Sequence, residues 1–350
     1  MRHVKYSVII PTRDRANYLH KCLISLSQIN NPENSWEVLV VDNGSSDNTK
    51  EIAQEFLKKI PNLKYFYTST PGLHIGRHLG CDRAEGEILC YIDDDSLVNN
   101  DWLLGIEEAF YDEAVALVGG PCIPEYETEP PKWVEYFWNN TKYGKANFFL
   151  SLLDFGDAKL LIHPRYIFGC NYSIRKNVFL ELGGTHPDYL PGEYKQFQGD
   201  GESGLSRKIH ASGYKTLYSP QVKIRHIIPE SRLTVEYFCW RRYFNGIHAS
   251  YSTIRKQHGV GIIESNEKKI VAHKLLLLIK LATLTKRGLK AIASKLIPDE
   301  PREAREIKEK INRNYEEGYR YHQEAVKSDP RLLEWILRED YLGENGRLPK

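Results

Sequence analysis

The feature that most constrains the fold of this chain is a regular alternation of short apolar runs and amphipathic segments over its first 120 residues. Each apolar run has the length of a β-strand, and the segments between the runs repeat their apolar residues at helical spacing. Strands are predicted at 6–10, 36–41, 63–67, 87–92 and 116–118, and helices at 16–29, 49–59, 75–84 and 101–111. Short polar turns join them. This order predicts an α/β fold, with a doubly wound, mixed but mostly parallel sheet and helices on both faces.

The rest of the chain divides into a continuation of this domain and a helical region. Residues 121–165 are rich in proline and aromatic side chains and predict a less regular, substrate-side insertion. Further strands are predicted at 166–174, 214–218 and 222–226, and helices at 176–182 and 202–211. From residue 234 onward the apolar spacing is helical. We therefore expect one α/β domain over residues 1–230 and a helical C-terminal region over residues 231–350.

Hydrophilic clusters follow three of the predicted strands, at 11–15, 42–47 and 93–96. In a parallel sheet the carboxyl ends of the strands share one edge, and ligands bind there. The third cluster contains Asp93, Asp94 and Asp95, three adjacent carboxylates that repel one another unless solvent or a cation neutralises them. Their oxygen atoms suit Mn²⁺ or Mg²⁺, which usually also hold the phosphates of a substrate. A solvated cluster of helix-capping acids is the alternative interpretation.

Composition narrows the classes of function. The 350 residues include 48 Lys and Arg against 46 Asp and Glu, a net charge of +2 that gives no support for nucleic-acid binding over the whole surface. The six cysteines form no C-x-x-C pair, so we expect free thiols in a reducing compartment. The apolar run at 6–10 is too short for a secretory leader. A cytoplasmic protein is therefore expected.

One segment of the C-terminal region has an unusual charge balance. Residues 268–297 contain eight lysines and arginines and no acidic residue, with apolar residues between them. This pattern is typical of a helix that lies on an anionic membrane at its cytoplasmic face. It is equally typical of a helix packed on the domain, with the lysine stems covering apolar surface. Both interpretations stay open.

The order of the motifs resembles that of the family 2 glycosyltransferases with the GT-A fold. The resemblance is carried by Val-Ile-Ile-Pro-Thr-Arg-Asp-Arg at 8–15, Val-Leu-Val-Val-Asp-Asn-Gly-Ser-Ser-Asp at 38–47 and Gly-Glu-Ile-Leu-Cys-Tyr-Ile-Asp-Asp-Asp at 86–95. Downstream, Gly-Cys-Asn-Tyr-Ser-Ile-Arg at 169–175, Gly-Asp-Gly-Glu-Ser-Gly-Leu-Ser-Arg at 199–207 and Gly-Tyr-Lys-Thr-Leu-Tyr-Ser-Pro at 213–220 fit the same pattern. Together these motifs cover about residues 5–230.

The resemblance, together with the chemistry of the side chains, predicts a site. Binding of the nucleotide sugar is expected from Pro11, Thr12, Arg13, Arg15, Asp42, Arg77, Asp93 and Asp94. Asp95 would ligate the metal, and His226 could add a second metal or phosphate contact. Glu202 is the expected general base, with Asp200 as the rival because the sequence has Gly-Asp-Gly-Glu where the family has Glu-Asp. Asn171 and Trp133 are candidate contacts with the acceptor or a sugar.

The activity implied is transfer of a sugar from a nucleotide sugar, most simply a UDP-sugar, to a hydroxyl of a glycan or lipid-linked acceptor. Such a reaction would depend on Mn²⁺ or Mg²⁺ and would invert the anomeric centre by a single displacement. A non-catalytic sugar- or nucleotide-binding module and a nucleotidyltransferase are the alternatives. A dinucleotide-dependent oxidoreductase needs a glycine-rich turn after the first strand, and this sequence has no glycine before Gly44.

Overall fold

A computed structural model describes residues 5–30, 35–261 and 301–349. The strands in these ranges, in chain order, are β1 (Tyr6–Thr12), β2 (Trp36–Asp42), β3 (Leu63–Tyr67), β4 (Ile88–Ile92), β5 (Ser96–Val98), β6 (Val115–Gly119), β7 (Cys122–Tyr126), β8 (Asn139–Asn140), β9 (Lys145–Asn147), β10 (Leu152–Asp154), β11 (Leu160–Leu161), β12 (Asn171–Arg175), β13 (Lys215–Tyr218) and β14 (Ile224–Ile228).

Helices cover both faces of the sheet in these same ranges. They are α1 (Ala16–Leu26), α2 (Thr49–Glu55), α3 (Leu73–Arg83), α4 (Trp102–Ala109), α5 (Lys176–Glu181), α6 (Glu202–Ala211), α7 (Val235–Gln257), α8 (Arg302–Ser328) and α9 (Pro330–Ile336), with short 3-10 helices at Phe56–Lys58, Lys132–Phe137, Pro164–Tyr166, Gly192–Phe197, Glu230–Arg232 and Gly343–Gly346. The predicted α/β fold is thus confirmed, as is the helical character of the described C-terminal residues.

The main sheet has eight strands within the described ranges, in the order β11-β13-β6-β12-β4-β1-β2-β3. One half of it is the parallel set β4, β1, β2 and β3, with β3 at the edge. β1, β2 and β4 are buried along their whole length and mostly apolar, as expected of strands covered on both faces. β12 runs antiparallel between β4 and β6, and Asn171 at its start pairs with Ile92 at the end of β4. This pairing brings the chain that enters β12 beside the carboxylates that follow β4.

The insertion at 121–165 is more regular than the sequence predicts. Its short strands β7 to β10 join β5 and β14 in a second sheet, with the order β5-β14-β7-β10-β9-β8. The prediction of a strand over 166–174 is wrong at its beginning, because residues 164–166 form a 3-10 helix and the strand starts at Asn171. The second sheet places the end of β14 opposite the carboxyl ends of β1 and β4.

The helices after β14 pack on the insertion and on one another. Phe238 of α7 and Ile311 of α8 share an apolar cluster with Val134 and Leu152 of the insertion. α7 and α8 touch through Gly246 and Gly318, where a Cβ would lie about 2 Å from the carbonyl oxygen of the facing helix. The boundary expected at residue 230 stays a prediction.

Two further expectations concern the membrane. None of the helices in the described ranges is long and apolar enough to cross a bilayer. The basic segment 268–297 lies outside the described residues, so its contact with an anionic membrane stays a prediction.

Candidate active site

The predicted edge of the sheet opens into a cleft of about 240 Å³ between the two sheets and α7. Three groups of residues line it. The first comes from the ends of β1 and β4 and comprises Pro11, Thr12, Arg13, Arg15, Asp93, Asp94 and Asp95. The second comes from the loop before β10, from His226 within β14 and from Arg232 in the turn after β14. The third comes from α7, with Tyr237 and Arg241. Asn43, Leu73 and Tyr189 complete the lining, so residues from distant parts of the chain meet at this edge.

The turn after β1 directs Arg15 back into the cleft. Asp14 adopts a left-handed φ of 51°, which aspartate tolerates better than most residues. Its carboxylate accepts hydrogen bonds from the backbone N–H and hydroxyl of Ser46. The first two polar clusters are thus joined, and the side chain that follows, Arg15, turns toward the carboxylates after β4.

Asp94 is held by the first strand. Its carboxylate accepts a hydrogen bond of 2.7 Å from the Thr12 hydroxyl and another of 2.7 Å from Arg15 Nε. Burial raises the pKa of Asp94, and the Arg15 guanidinium opposes that rise. Because both of its partners come from residues 12–15, Asp94 fixes the turn after β1 against the end of β4.

Asp95 is buried among cationic and imidazole groups. Its Oδ2 lies 2.6 Å from Arg15 Nη2 and 2.9 Å from Arg232 Nη2. His226 Nε2 lies 3.2 Å from Oδ1. Burial raises the pKa of Asp95, but His226 and the two arginines outweigh it and lower the pKa well below the usual range. Asp95 is therefore an anion in the folded protein.

The contact between Asp95 and His226 suits a cation. His226 Nδ1 lies 3.0 Å from the Leu150 carbonyl oxygen and must donate to it, and Arg232 Nη1 donates to Nε2 across 3.3 Å. A protonated ring donates from Nε2 to Asp95 Oδ1, which is the state that lowers the Asp95 pKa, whereas in the neutral ring the Nε2 lone pair faces the same buried oxygen. A carboxylate oxygen and an imidazole nitrogen that face each other in this way are ligands for Mn²⁺.

Protein side chains supply only part of a ligand set. Nowhere in the described ranges do three or more acidic, histidine or cysteine side chains converge as a metal cluster. Mg²⁺ and Mn²⁺ are commonly held by one or two carboxylates, with substrate phosphates and water as the remaining ligands. Asp95 and His226 fit that arrangement.

A second cleft adjoins the first and contains Glu202. The two clefts share Leu73, Asp93, Ser151, Tyr189 and Arg241 as lining residues. Arg77, almost completely buried, lies between them, with Nη1 3.3 Å from Glu202 and Nη2 3.6 Å from Asp93. The backbone N–H of Gly169, just before β12, donates to Glu202 Oε1 across 3.3 Å. Arg77 therefore connects the carboxylates of the two clefts.

The protonation of Glu202 follows from these contacts. Burial raises the pKa of Glu202, but the Arg77 guanidinium and hydrogen bonds from backbone N–H groups, including that of Gly169, together outweigh burial and lower the pKa overall. Asp188 lies nearby and has the opposite shift, because burial and the charge of Glu202 raise its pKa. Glu202 is the ionised carboxylate of this pair and Asp188 the one that more readily holds a proton.

Asp200 is placed differently from Glu202, although only Gly201 separates them. Its carboxylate accepts hydrogen bonds from His186 Nδ1 at 2.6 Å, from the Ser252 hydroxyl at 2.7 Å and from Arg207. Gly201 has a φ of 54°, and a Cβ there would lie 2.5 Å from Asp188 Oδ2. Both acids line the second cleft, but this turn, open only to glycine, gives them different partners and leaves both Asp200 oxygens hydrogen-bonded.

Three predicted site residues do not line either cleft. Asn171 is buried, donating to the Val222 carbonyl at 2.7 Å and accepting from Trp102 Nε1 at 3.0 Å. Trp133 packs on Phe238 in an apolar cluster. Asp42 is also buried, and its oxygens accept from Ser45 N–H and Tyr65 OH. Their contacts with a sugar or a base stay predictions.

Several lining residues were missed from the sequence. They are Asn43, Asp188, Tyr189, Arg232, Tyr237 and Arg241. Arg232 and Arg241 follow the last predicted strand, where no motif marks them, and they enter the cleft only because β14 belongs to the second sheet. The signal that could have found Asp188 is an acid in a loop between two glycine turns, which is weak by itself.

Comparison with known sequences identifies the class of this protein. The sequence model of the family described as "Glycosyl transferase family 2" matches residues 7–179, which contain β1 to β12 and Asp93, Asp94 and Asp95. Residues 7–179 belong to glycosyltransferase family 2, a family of transferase enzymes, as the motif order predicts.

Two proteins with similar sequences come from different organisms, one from Haloferax volcanii and one from Rhizobium meliloti. Glycosyltransferase AglE of Haloferax volcanii is 37% identical over 115 residues, which is 33% of this chain and 38% of AglE. Succinoglycan biosynthesis protein ExoM of Rhizobium meliloti is 25% identical over 244 residues, which is 69% of this chain and 73% of ExoM. The chain thus spans little more than a third of AglE and about three quarters of ExoM.

A solved structure extends the likeness beyond the family match. The mannosyltransferase PcManGT of Pyrobaculum calidifontis was solved in complex with GDP-Man and Mn²⁺. It superposes on this chain with a TM-score of 0.57, over 91% of this chain and 86% of the PcManGT chain. The two sequences are 19% identical. The likeness concerns the fold, and it confirms the predicted GT-A architecture.

Proposed function

We propose that this chain transfers a sugar from a nucleotide-sugar donor to a hydroxyl of a carbohydrate-containing acceptor, with Mn²⁺ or Mg²⁺ and with inversion of the anomeric centre. The observation that carries the proposal is the pair of adjoining clefts, one with the Asp95–His226 contact and the other with the ionised Glu202. A donor and an acceptor can bind on the two sides of Asp93 and react there.

The donor cleft is built for a nucleoside diphosphate. Thr12, Arg13 and Arg15 lie at the end of β1, and Arg232 and Arg241 approach from the opposite side. Arginine forks bind phosphate oxygens well, so these residues would hold the diphosphate and stabilise the negative charge that grows on it as it leaves. Asp95 and His226 would hold the divalent cation, which supplies further stabilisation of that charge when bound.

Glu202 has the position and the charge of a general base. In the proposed step the acceptor oxygen forms a bond with the anomeric carbon while the bond from that carbon to the diphosphate breaks. The hydroxyl proton passes to a carboxylate oxygen of Glu202, which is free of a proton because of Arg77. A single displacement of this kind inverts the configuration. Asp200 is the weaker candidate because its oxygens are already taken.

The class of donor can be tested before the acceptor is known. UDP-GlcNAc, UDP-glucose, GDP-mannose and their nucleoside diphosphates are added to the full chain with MnCl₂, with MgCl₂ or with EDTA, and melting temperatures are compared. We expect one nucleotide to raise the melting temperature only in the presence of metal, because only the folded protein holds the site. Stabilisation that is the same with EDTA would contradict the role proposed for Asp95 and His226.

The alternatives make different predictions in the same preparations. A nucleotidyltransferase would release pyrophosphate, whereas the proposed enzyme releases a nucleoside diphosphate. A binding module would bind sugar without any metal-dependent binding of nucleotide. The similarity to a succinoglycan biosynthesis protein supports polysaccharide synthesis as the setting.

A further inference from the structure

A groove continues the acceptor side of the site away from Glu202. It is lined by Leu190, Gln198, Trp240 and Phe244, and by residues that also line the cleft of Glu202. The shared residues are Asp188, Tyr189, Arg241, Asn245 and His248. Because the two spaces share these five residues, they are adjacent, and a ligand with one hydroxyl beside Glu202 would reach Trp240 with its next units.

Exposed aromatic rings line this groove. Trp240 is 43% exposed and Tyr189 49% exposed, although such large side chains usually lie in the core. Tyr237 stacks on Trp240 with a centroid distance of 5.8 Å and an angle of 25°, and Phe244 packs 4.8 Å from it. The three α7 side chains lie on one face of the helix by their spacing. Their packing fixes the Trp240 ring while leaving part of it open.

Tyr189 is fixed opposite this helix by an unusual backbone. Its φ is 49°, a left-handed value that is uncommon for a bulky residue and is found mainly where function requires it. Arg241 donates a hydrogen bond to the Tyr189 phenol oxygen. The Tyr189 and Trp240 rings lie 6.2 Å apart between centroids.

Hydrogen-bonding groups line the same groove as the aromatic rings. Asp188, Asn245 and His248 line the groove, and His248 Nε2 is buried without a hydrogen-bond partner among the described residues. Flat apolar surfaces beside donors and acceptors suit a pyranose, which has an apolar C–H face and hydroxyls of both kinds. A hydrocarbon chain would leave these polar groups unpaired, and an anion would face Asp188 and Glu202.

We infer that the acceptor is an oligosaccharide of at least two sugar units, with the accepting unit beside Glu202 and the next unit stacked on Trp240 near Tyr189. This inference rests on the proposed glycosyl transfer. It names a ligand class for residues of α7 that lie outside the segment matched to the family.

The test compares binding of defined carbohydrates by the full chain and two variants. Fluorescently labelled wild type, Trp240→Ala and Tyr111→Ala are applied to an array of mono-, di- and trisaccharides with MnCl₂ and UDP or GDP. Tyr111 is a matched control, because it is 70% exposed and lies outside the groove. We expect wild type and the control to bind at least one disaccharide more tightly than its component monosaccharides, and Trp240→Ala to bind it about tenfold more weakly.

Several results would overturn the inference while sparing the proposed function. In the first, Trp240→Ala binds the disaccharide as tightly as the wild type. In the second, the wild type binds monosaccharides as tightly as disaccharides. In the third, the wild type binds a nucleotide sugar but no carbohydrate on the array. Adsorption to sugar-free phosphatidylglycerol vesicles that is lost in Trp240→Ala would also overturn it, since the ring would then serve a lipid surface. Absence of metal-dependent binding of any nucleotide sugar in the thermal-shift panel counts against the proposed function itself.

Discussion

The proposed donor and acceptor sides of the site each contain a carboxylate, and the two carboxylates differ in burial and in the number of their cationic partners. On the donor side, Asp95 is almost fully buried and has two arginines and a histidine around it. On the acceptor side, the Glu202 side chain is 26% exposed and has one arginine, which it shares with Asp93, and one backbone N–H. The first carboxylate is held in place, and the second is held more loosely.

This difference fits two kinds of work. A carboxylate that helps to hold a cation must remain charged and must not move, so surplus positive charge around it is an advantage. A general base must accept a proton, and an excess of cations would make it too weak. The number of cationic partners therefore distinguishes a ligand from a base at this site, and the following variants test that distinction.

The largest effect is expected for Asp95→Asn. The change removes the proposed cation ligand and the negative charge that Arg15 and Arg232 pair with. Sugar transfer should therefore fall to background, a loss on the order of 10³-fold or more. Turnover is measured as release of nucleoside diphosphate, and metal-dependent stabilisation by nucleotide is measured in parallel. Asp112→Asn is the control, since Asp112 pairs with Lys215 at the surface. If folded Asp95→Asn still bound nucleotide only in the presence of metal, Asp95 would not be the ligand that holds the cation.

Glu202→Gln should have the next largest effect, on kcat alone. Loss of a general base typically costs about 10²- to 10⁴-fold, while the donor cleft is unchanged and should bind nucleotide as before. Glu236→Gln is a matched control, because it also removes an acid from the first turn of a helix but is exposed. Normal turnover in Glu202→Gln would assign the proton transfer to another group, and Asp93, Asp188 and Asp200 are the other carboxylates that line the same cleft.

Asp200→Asn should act on stability more than on turnover. It breaks a buried pair with His186 and Arg207, which costs about 3 kcal/mol and lowers the melting temperature of a chain this long by about 5 °C or more. Glu125→Gln breaks an exposed pair with Arg225 and should change little. If Asp200→Asn had no turnover but were as stable as the wild type, Asp200 would be the general base and Glu202 would not.

The same variant has a pH dependence with a definite sign. The pKa of Asp200 is lower in the folded than in the unfolded chain, because His186 and Arg207 outweigh the effect of burial. Its stabilising effect is therefore complete above the unfolded pKa of about 4 and is lost as the pH falls. The difference in melting temperature between wild type and Asp200→Asn should shrink below about pH 4.

The smallest effect is expected for Arg13→Ala. The Arg13 side chain lines the donor cleft but is 49% exposed, and its nearest acid, Asp14, lies 3.8 Å away. Solvent screens such a charge, so donor KM should rise less than about tenfold with kcat unchanged. A much larger rise would mean that the donor side depends on exposed as well as buried cations.

The sequence predicts the parallel strands of the main sheet, for a physical reason. β1, β2 and β4 are five to seven residues long, mostly apolar and buried along their length, which is a clear strand signal in an α/β sequence. The polar residues that follow them, such as Arg15 and Asp95, are therefore expected at one edge of the sheet. The second sheet is different, because four of its six described strands are only two or three residues long and carry too few residues for a pattern to be recognised.

The acceptor side is harder to predict for the same reason. Asp188, Tyr189 and Arg241 belong to a loop and a helix whose positions depend on the second sheet and on packing. The pair Asp200 and Glu202 shows a further limit, since the sequence favours Glu202 but keeps Asp200 as a rival. Both acids line the second cleft, and their different hydrogen-bond partners on either side of the left-handed Gly201 become visible only in the fold.

The antiparallel course of β12 has a consequence for accuracy. Gly169, whose N–H holds Glu202, lies two residues before Asn171, and Asn171 is locked in register with Ile92, one residue before Asp93. The span between the carboxylates that follow β4 and Glu202 thus depends on the pairing of two neighbouring central strands, and core strands are among the last parts of a protein to open. Breathing of the outer loops could admit or release ligands without changing that span.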